Sequence, residues 1–364
     1  MRRVRLENLV PSMIVARPIY SNEGKILLNS GVSLKQRFIE RLEELGIPSI
    51  YIQDELGDYE IPEVISEATR NLAIQTLRNS VNQVRLGKNL NVDSVEQIAS
   101  KIIDEVLANQ DVLISLTDIR SFDNYTFGHC VNVAILSLVC GISMRLSQDE
   151  LRQLTLGALL HDIGKVRIPE EILNKPGRLS AEEYKKVIQH ASFGYEIVKR
   201  NQRIPHRSAL IVYQHHERIN GSGYPQKLKG DEIDLLARIT AISDVYDAIT
   251  ADRVYQNGIP PSEAIRVLKG LGSFHFDLEA LSHFVKNIAL YPVGSTVNLS
   301  DGSSGVVVDV NKRYPARPIV RVLFDEVGKK MSQEHTEINF HFNRCSGHLE
   351  FNFKTMKIFI EYSV

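Results

Sequence analysis

Seven nitrogen and oxygen donors lie in the central third of this chain: His129, His161, Asp162, His190, His215, His216 and Asp244. Imidazoles and carboxylates in this number suit a metal site in the core of a helical bundle, where ligands converge from several helices. Taken singly, His129 or His190 reads as an ordinary core histidine satisfied by a hydrogen bond. The adjacent pairs His161-Asp162 and His215-His216 resist that reading, because each ends an apolar run and buried polar groups need partners. Two divalent ions held by five neutral imidazoles and two carboxylates would leave a formal excess of about +2. Such a site attracts a phosphodiester and lowers the pKa of a bridging water, so that hydroxide can attack phosphorus. Donors without thiolate favour Fe or Mn, with Co or Ni next and zinc less natural. Asp162, beside His161, is best placed to bridge the two ions.

A second cluster, Asn220-Gly221-Ser222-Gly223-Tyr224-Pro225, follows the histidine pair closely. Two glycines and a proline by themselves say only tight turn. Beside metals, the same turn could present Tyr224 to a base or a phosphate. Lys165, one turn after His161, and Arg253, nine residues after Asp244, are candidate phosphate contacts, although either alone reads as a surface charge.

The elements that must position these groups are legible. Leu151, Leu154, Leu156, Leu159 and Leu160 surround most of a helical circumference, which predicts a buried helix delivering His161-Asp162 at its end and stopping near Gly164 and Pro169. Leu210, Ile211, Val212 and Tyr213 lead into the histidine pair. Along Ile239–Ile249, Ile239, Ile242, Tyr246 and Ile249 share one face. Asp244 falls opposite, among Ala237, Ala241, Ala248 and Ala251, a small-residue face suited to close packing.

Around this core the chain divides into three expected parts. Residues 1-62 read as a small mixed α/β module: a hairpin of Val15–Tyr20 and Lys25–Leu28 across Ser21-Asn22-Glu23-Gly24, a helix through Leu34, Phe38, Leu42 and Leu45 ending at Gly46, and a strand at Ile50–Ile52. It carries no chemical cluster, so a regulatory, dimerising (as in a homodimer) or structural role is expected. Residues 63-290 read as helical, with Leu72, Ile74, Leu77 and Val81 in one segment and Val95, Ile98, Ile102 and Val106 in the next. Residues 291-364 read as a small, barrel-like β module.

With 43 basic and 44 acidic residues the net charge is -1, which removes the electrostatic case for a nucleic-acid polymer as partner. Cys130, Cys140 and Cys345 are too few for a disulfide framework, and a reduced, cytoplasmic setting fits. No signal-like stretch and no run long enough to span a bilayer is read, so no membrane is expected.

Tyr125-Thr126-Phe127-Gly128-His129, His161-Asp162-Ile163-Gly164-Lys165, His190 with Gly194, His215-His216-Glu217, Gly221-Ser222-Gly223-Tyr224-Pro225 and Asp244-Val245-Tyr246-Asp247-Ala248 together resemble the HD-GYP family of HD-domain phosphohydrolases. The resemblance covers roughly residues 110 to 285. It implies a mainly α, helical-bundle fold and hydrolysis of the bacterial second messenger cyclic di-GMP to linear pGpG, often onward to GMP. It further implies one metal held by His129, His161, Asp162 and Asp244, and another by Asp162, His190, His215 and His216. His161 and Asp162 would be the signature catalytic pair. Lys165, also catalytic, and Arg253 would contact substrate, together with Gly221, Gly223, Tyr224 and Pro225 of the loop after the histidine pair. Tyr125 stands where some members carry a third-metal Glu, Asn220 where Asp is frequent, and Gln256 where a basic residue can occur. Three other readings stay open: the same chemistry on another cyclic dinucleotide such as cyclic GMP-AMP, a receptor with little turnover, and a scaffold with a stabilising metal.

Overall fold

The structure is a computed structural model that describes residues 1–21, 26–47, 49–53, 63–109, 125–251, 258–311, 314–329 and 331, together with strand segments 337–339, 344–346 and 358–359. The expected turn at Asn22–Gly24, the substrate contact Arg253, its neighbour Gln256 and most of Phe351–Tyr362 lie outside these residues.

At the N-terminus, β1 (Arg2–Arg5) pairs antiparallel with β4 (Ser49–Ile52), and β2 (Ile19–Tyr20) with β3 (Ile26–Leu28). The helix α1 (Gln36–Glu44) buries Ile39 and Leu42, and Gly46 follows with φ 64°, the left-handed conformation that ends helices. β1 was not legible, since Arg2-Arg3-Val4-Arg5 has little strand character.

Two helices, α2 (Glu67–Arg85) and α3 (Val92–Ala108), lead into the bundle, each with a side-chain cap from Ser66 or Asn91. As expected, Leu72, Ile74, Leu77 and Val81 fall in one helix, with Leu77 buried and Ile74 and Val81 packed against the core. Leu72 is 45% exposed, and the buried stripe is Thr69, Ala73, Leu77 and Ser80. Its small residues sit against the bundle and Leu72 does not. The central helices are α4 (Tyr125–Ser143), α5 (Gln148–Leu160), the short α6 (Glu170–Leu173) and α7 (Ala181–Val187), α8 (His190–Lys199), α9 (His206–Gln214), α10 (Leu235–Thr250), α11 (Pro261–His275) and α12 (Leu278–Lys286). One continuous core, from Val64 to Ile288, runs through these helices except α6 and α7, which bury no residue. No bilayer-length run was expected, yet Thr126–Ser143 of α4 is long and apolar enough to cross a membrane. Within the fold, 72% of that stretch is buried; α4 packs on α5 and α10, so its apolarity serves the core.

All five leucines of the α5 region are buried, and a capping box between Ser147 and Glu150 starts the helix. The helix ends at Leu160, earlier than expected, with His161 as its C-cap and a 3-10 turn over Ile163–Arg167. That turn lies against α8. At the C-terminal end, β5 (Thr296–Leu299), β6 (Ser304–Asp309), β7 (Ile319–Phe324), β8 (Glu337–Asn339), β9 (Arg344–Ser346) and β10 (Ile358–Phe359) form an antiparallel sheet in the order β10-β5-β6-β7-β8-β9. It buries Val297, Leu299, Val307, Val320 and Val322.

Candidate metal centre

The six predicted donors His129, His161, Asp162, His190, His215 and His216 converge as two groups. The donor atoms of His129, His161 and Asp162 lie within 4.8 Å of one another, and so do those of His190, His215 and His216. Asp244 joins the first group, its Oδ1 3.0 Å from His129 Nε2, and its Oδ2 lies 3.7 Å from His216 Nδ1. Asp162 stands between the groups. Its Oδ1 is 3.4 Å from His190 Nε2, while its Oδ2 is 3.4 Å from His161 Nε2 and 3.9 Å from His129 Nε2.

Backbone carbonyls fix the tautomers. His161 Nδ1 donates to the carbonyl of Ala158 (2.6 Å), His190 Nδ1 to Val187 (2.7 Å), and His215 Nδ1 to Val212 and Ile211 (3.1 and 3.2 Å). A carbonyl can only accept, so each Nδ1 carries the hydrogen and each neutral ring turns a bare Nε2 lone pair inward. His190 Nε2 and His215 Nε2 then face each other at 3.3 Å with no proton between them. His161 Nε2 is buried without a hydrogen-bond partner. Facing lone pairs and an orphaned acceptor in a buried site are costly unless a cation lies among them. The donor set therefore fits divalent metal ions.

The two groups differ in charge. Burial pushes His215 well below the ordinary imidazole value and lowers His190 and His216 as well. At His129 burial acts in the same direction, but hydrogen bonds to Asp244 and Asp247 outweigh it and raise the ring to about 9. Burial also opposes ionisation of Asp162, yet the Lys165 ammonium beside it holds it well below the usual carboxylate range. A cation entering the His129 group must displace a proton that persists up to about pH 9, so its affinity is weakened as pH falls. The expected result for Mn2+ titrations at pH 6, 7 and 8 is that this group gains about tenfold per pH unit. The His190–His215–His216 group should stay nearly constant, its rings being neutral already. Parallel changes at both would contradict this assignment.

Glycines permit the convergence. A Cβ on Gly164 would run into the carbonyl oxygen of His190 and the amide nitrogen of Gly194. The 3-10 turn after Asp162 can therefore touch α8 only without a side chain there. Gly223 is similarly pressed on the backbone of Glu217 and Arg218, and Tyr224 N–H donates to the His216 carbonyl at 3.3 Å. The loop thus folds back on the histidine pair, with the Tyr224 ring 4.7 Å from that of His216. Asn220 Oδ1 accepts from Ser222 N–H at 2.9 Å, a turn contact that an aspartate would make equally. Lys165 Nζ donates to Asp162 Oδ2 at 2.6 Å. His129, Asp162, Lys165, His216 and Asp244 open on one cleft of about 1860 Å³.

Other residues shape the site without having stood out as candidates by type and spacing. Glu217 is buried, and its carboxylate accepts from the N–H groups of Gln226 (2.7 Å), Lys227 (3.1 Å) and Leu228 (3.1 Å), anchoring the far side of the Tyr224 loop. Glu217→Ala is expected to lower stability by about 3 kcal/mol, since a buried charged acceptor disappears from three donors. Urea denaturation checks this; a change under about 1 kcal/mol would contradict it. Asp247 Oδ2 accepts from His129 Nδ1 at 2.6 Å and Asp247 Oδ1 from Asn132 Nδ2 at 2.9 Å. The signal for Asp247 was present, one turn after Asp244 on a buried helix. Asn132 gave none, because its partner is remote in sequence.

Comparison with known proteins agrees with this geometry. Residues 103–280 match the HD domain, and residues 296–345 match a KOW domain associated with HD domain. The chain is 38% identical over 248 residues to a Pseudomonas aeruginosa protein named cyclic di-GMP phosphodiesterase PA4108, covering 67% of this chain and 59% of that one. It is 33% identical over 169 residues to a Vibrio cholerae protein named 3'3'-cGAMP-specific phosphodiesterase 3, covering 46% and 36%. The chain thus spans less than two thirds of the length of these relatives. Among solved structures, a Bdellovibrio bacteriovorus protein described as Bd1817, a HDG"Y"P protein, superposes with a TM-score of 0.52 at 21% identity, covering 78% of this chain and 97% of that one; this likeness speaks for the fold. On the HD-domain match, residues 103–280 belong to the HD-domain family, and the ordered motifs they carry are those that resemble its HD-GYP branch.

Proposed function

We propose that the chain is a metal-dependent phosphodiesterase that hydrolyses cyclic di-GMP to pGpG. One observation carries the reading: the two oxygens of Asp162 face two separate groups of imidazole donors at the floor of one cleft. His129, His161, Asp162 and Asp244 would hold one ion, and His190, His215 and His216 a second shared with Asp162. When bound, a pair of divalent ions of the Fe or Mn type supplies an activated water and neutralises charge on the attacked phosphate. The protein's own groups do the rest. Nδ1–H donation to carbonyls keeps His161, His190 and His215 in one tautomer with Nε2 presented. Lys165, paired with Asp162 before metal arrives, is placed to donate to a non-bridging phosphate oxygen once that carboxylate is engaged. Tyr224, held against His216 by Gly221, Gly223 and Pro225, offers a ring to a guanine base.

Relatives named for cyclic GMP-AMP keep a second substrate in view, so the two dinucleotides should be assayed side by side. After anaerobic loading with Mn2+ or Fe2+, product analysis should show cyclic di-GMP consumed and pGpG formed, faster than cyclic GMP-AMP is consumed. Tight binding of cyclic di-GMP without turnover would instead make the chain a receptor.

A further inference from the structure

The helix α2 precedes the matched HD domain, yet one of its side chains is linked to the candidate metal centre. Arg70 Nη1 donates to Asn132 Oδ1 at 2.6 Å. Asn132 Nδ2 donates to Asp247 Oδ1 at 2.9 Å, and Asp247 Oδ2 accepts from His129 Nδ1 at 2.6 Å. His129 Nε2 then points at Asp244 Oδ1, 3.0 Å away. Asn132, Asp247 and His129 are buried, at 0%, 1% and 5% exposure.

The polarity of this chain is fixed by chemistry. A guanidinium only donates and a carboxylate only accepts, so the Asn132 amide has one orientation that satisfies both neighbours. Asp247 is thereby held in the position that sets the tautomer and angle of the His129 ring. Carboxylate partners of ligating histidines tune metal affinity in this way.

We propose that Arg70 is a positioning residue for His129, so that occupancy of the metal group on the His129 side depends on how α2, outside the HD domain, is seated on the bundle. The proposal rests on the reading of His129 as a ligand. It gives the segment before the HD domain a specific physical route to the site. Displacing α2 from α4 breaks the Arg70–Asn132 bond and so removes the contact that orients the Asn132 amide toward Asp247. The His190–His215–His216 group meets this chain of contacts at its far end, where His216 Nδ1 lies 3.7 Å from Asp244 Oδ2, whereas His129 is a link in it.

The test is Co2+ titration of the chelator-stripped full chain, followed by visible absorption, for wild type, Arg70→Met and Arg70→Lys. Wild type should fill two sites. Arg70→Met should weaken one site by about 10- to 100-fold, the range for loss of an outer partner of a ligating histidine, and leave the other unchanged. Arg70→Lys, which keeps a donor for Asn132 Oδ1, should recover part of the loss. Thermal melting of the metal-free proteins accompanies the titration, because a merely structural role would lower stability without separating the two sites. Wild-type affinity at both sites in Arg70→Met, or equal weakening of both, would overturn the proposal. Absence of Co2+ binding in wild type would overturn the ligand reading beneath it.

Discussion

Asp162→Ala should abolish catalysis, with turnover of cyclic di-GMP falling by about 1,000-fold or more, equivalent to roughly 4 kcal/mol of transition-state stabilisation. Bound metal should fall from two ions per chain to one or none. The two oxygens of Asp162 address both donor groups, at 3.4 Å from His190 Nε2 and 3.4 Å from His161 Nε2, and it lies nearer the second group than Asp244, whose Oδ2 is 3.7 Å from His216 Nδ1. Without it, two closely spaced cations lose the anion between them, and the buried imidazoles contribute no compensating charge. Lys165 also loses the carboxylate it contacts at 2.6 Å. Asp162→Asn separates shape from charge: it should retain the fold and lose nearly as much activity. Elemental analysis and a product assay on the same preparations check the pair. A variant with wild-type metal content and more than a tenth of wild-type activity would remove Asp162 from its bridging role.

Gly164→Ala is expected to be nearly as damaging through packing alone. Its new methyl would be driven into the His190 carbonyl and the Gly194 amide, both backbone atoms that cannot swing aside. The 3-10 turn and α8 would have to separate, at a cost of about 3 kcal/mol, the upper end for overpacking. Separation also pulls Asp162 from His190, so metal affinity should fall together with the melting temperature. Gly270 in α11 faces open space instead, with no atom within 4 Å of where a methyl group would stand, and Gly270→Ala should stabilise the protein by up to about 1 kcal/mol through helix propensity. If the two variants melt alike, close approach at Gly164 is not what places His190.

Much of the site was legible because its elements announce themselves by apolar pattern. The leucines before His161, the apolar run before His215 and the alanine face around Asp244 each pointed to burial, and the residues named from them converge. Order and spacing of the motifs, rather than any single histidine, made the family resemblance specific. Contacts closed in three dimensions were not legible. Arg70 looks like an ordinary helix charge until Asn132, 62 positions away, is placed against it. Glu217 belongs to a recognisable motif, but its three backbone partners appear only when the following loop folds back. Arg253 and Gln256 fall outside the described residues, so the phosphate contact expected of Arg253 stays a proposal for mutagenesis.

The most direct test of the two-metal centre is anomalous diffraction from crystals of the anaerobically purified, Mn2+- or Fe2+-loaded chain. Two anomalous peaks per chain are expected, one among His129, His161, Asp162 and Asp244, the other among His190, His215 and His216, with Asp162 bridging them. A fully loaded crystal showing no peak among these seven side chains, or a metal held elsewhere, would contradict it.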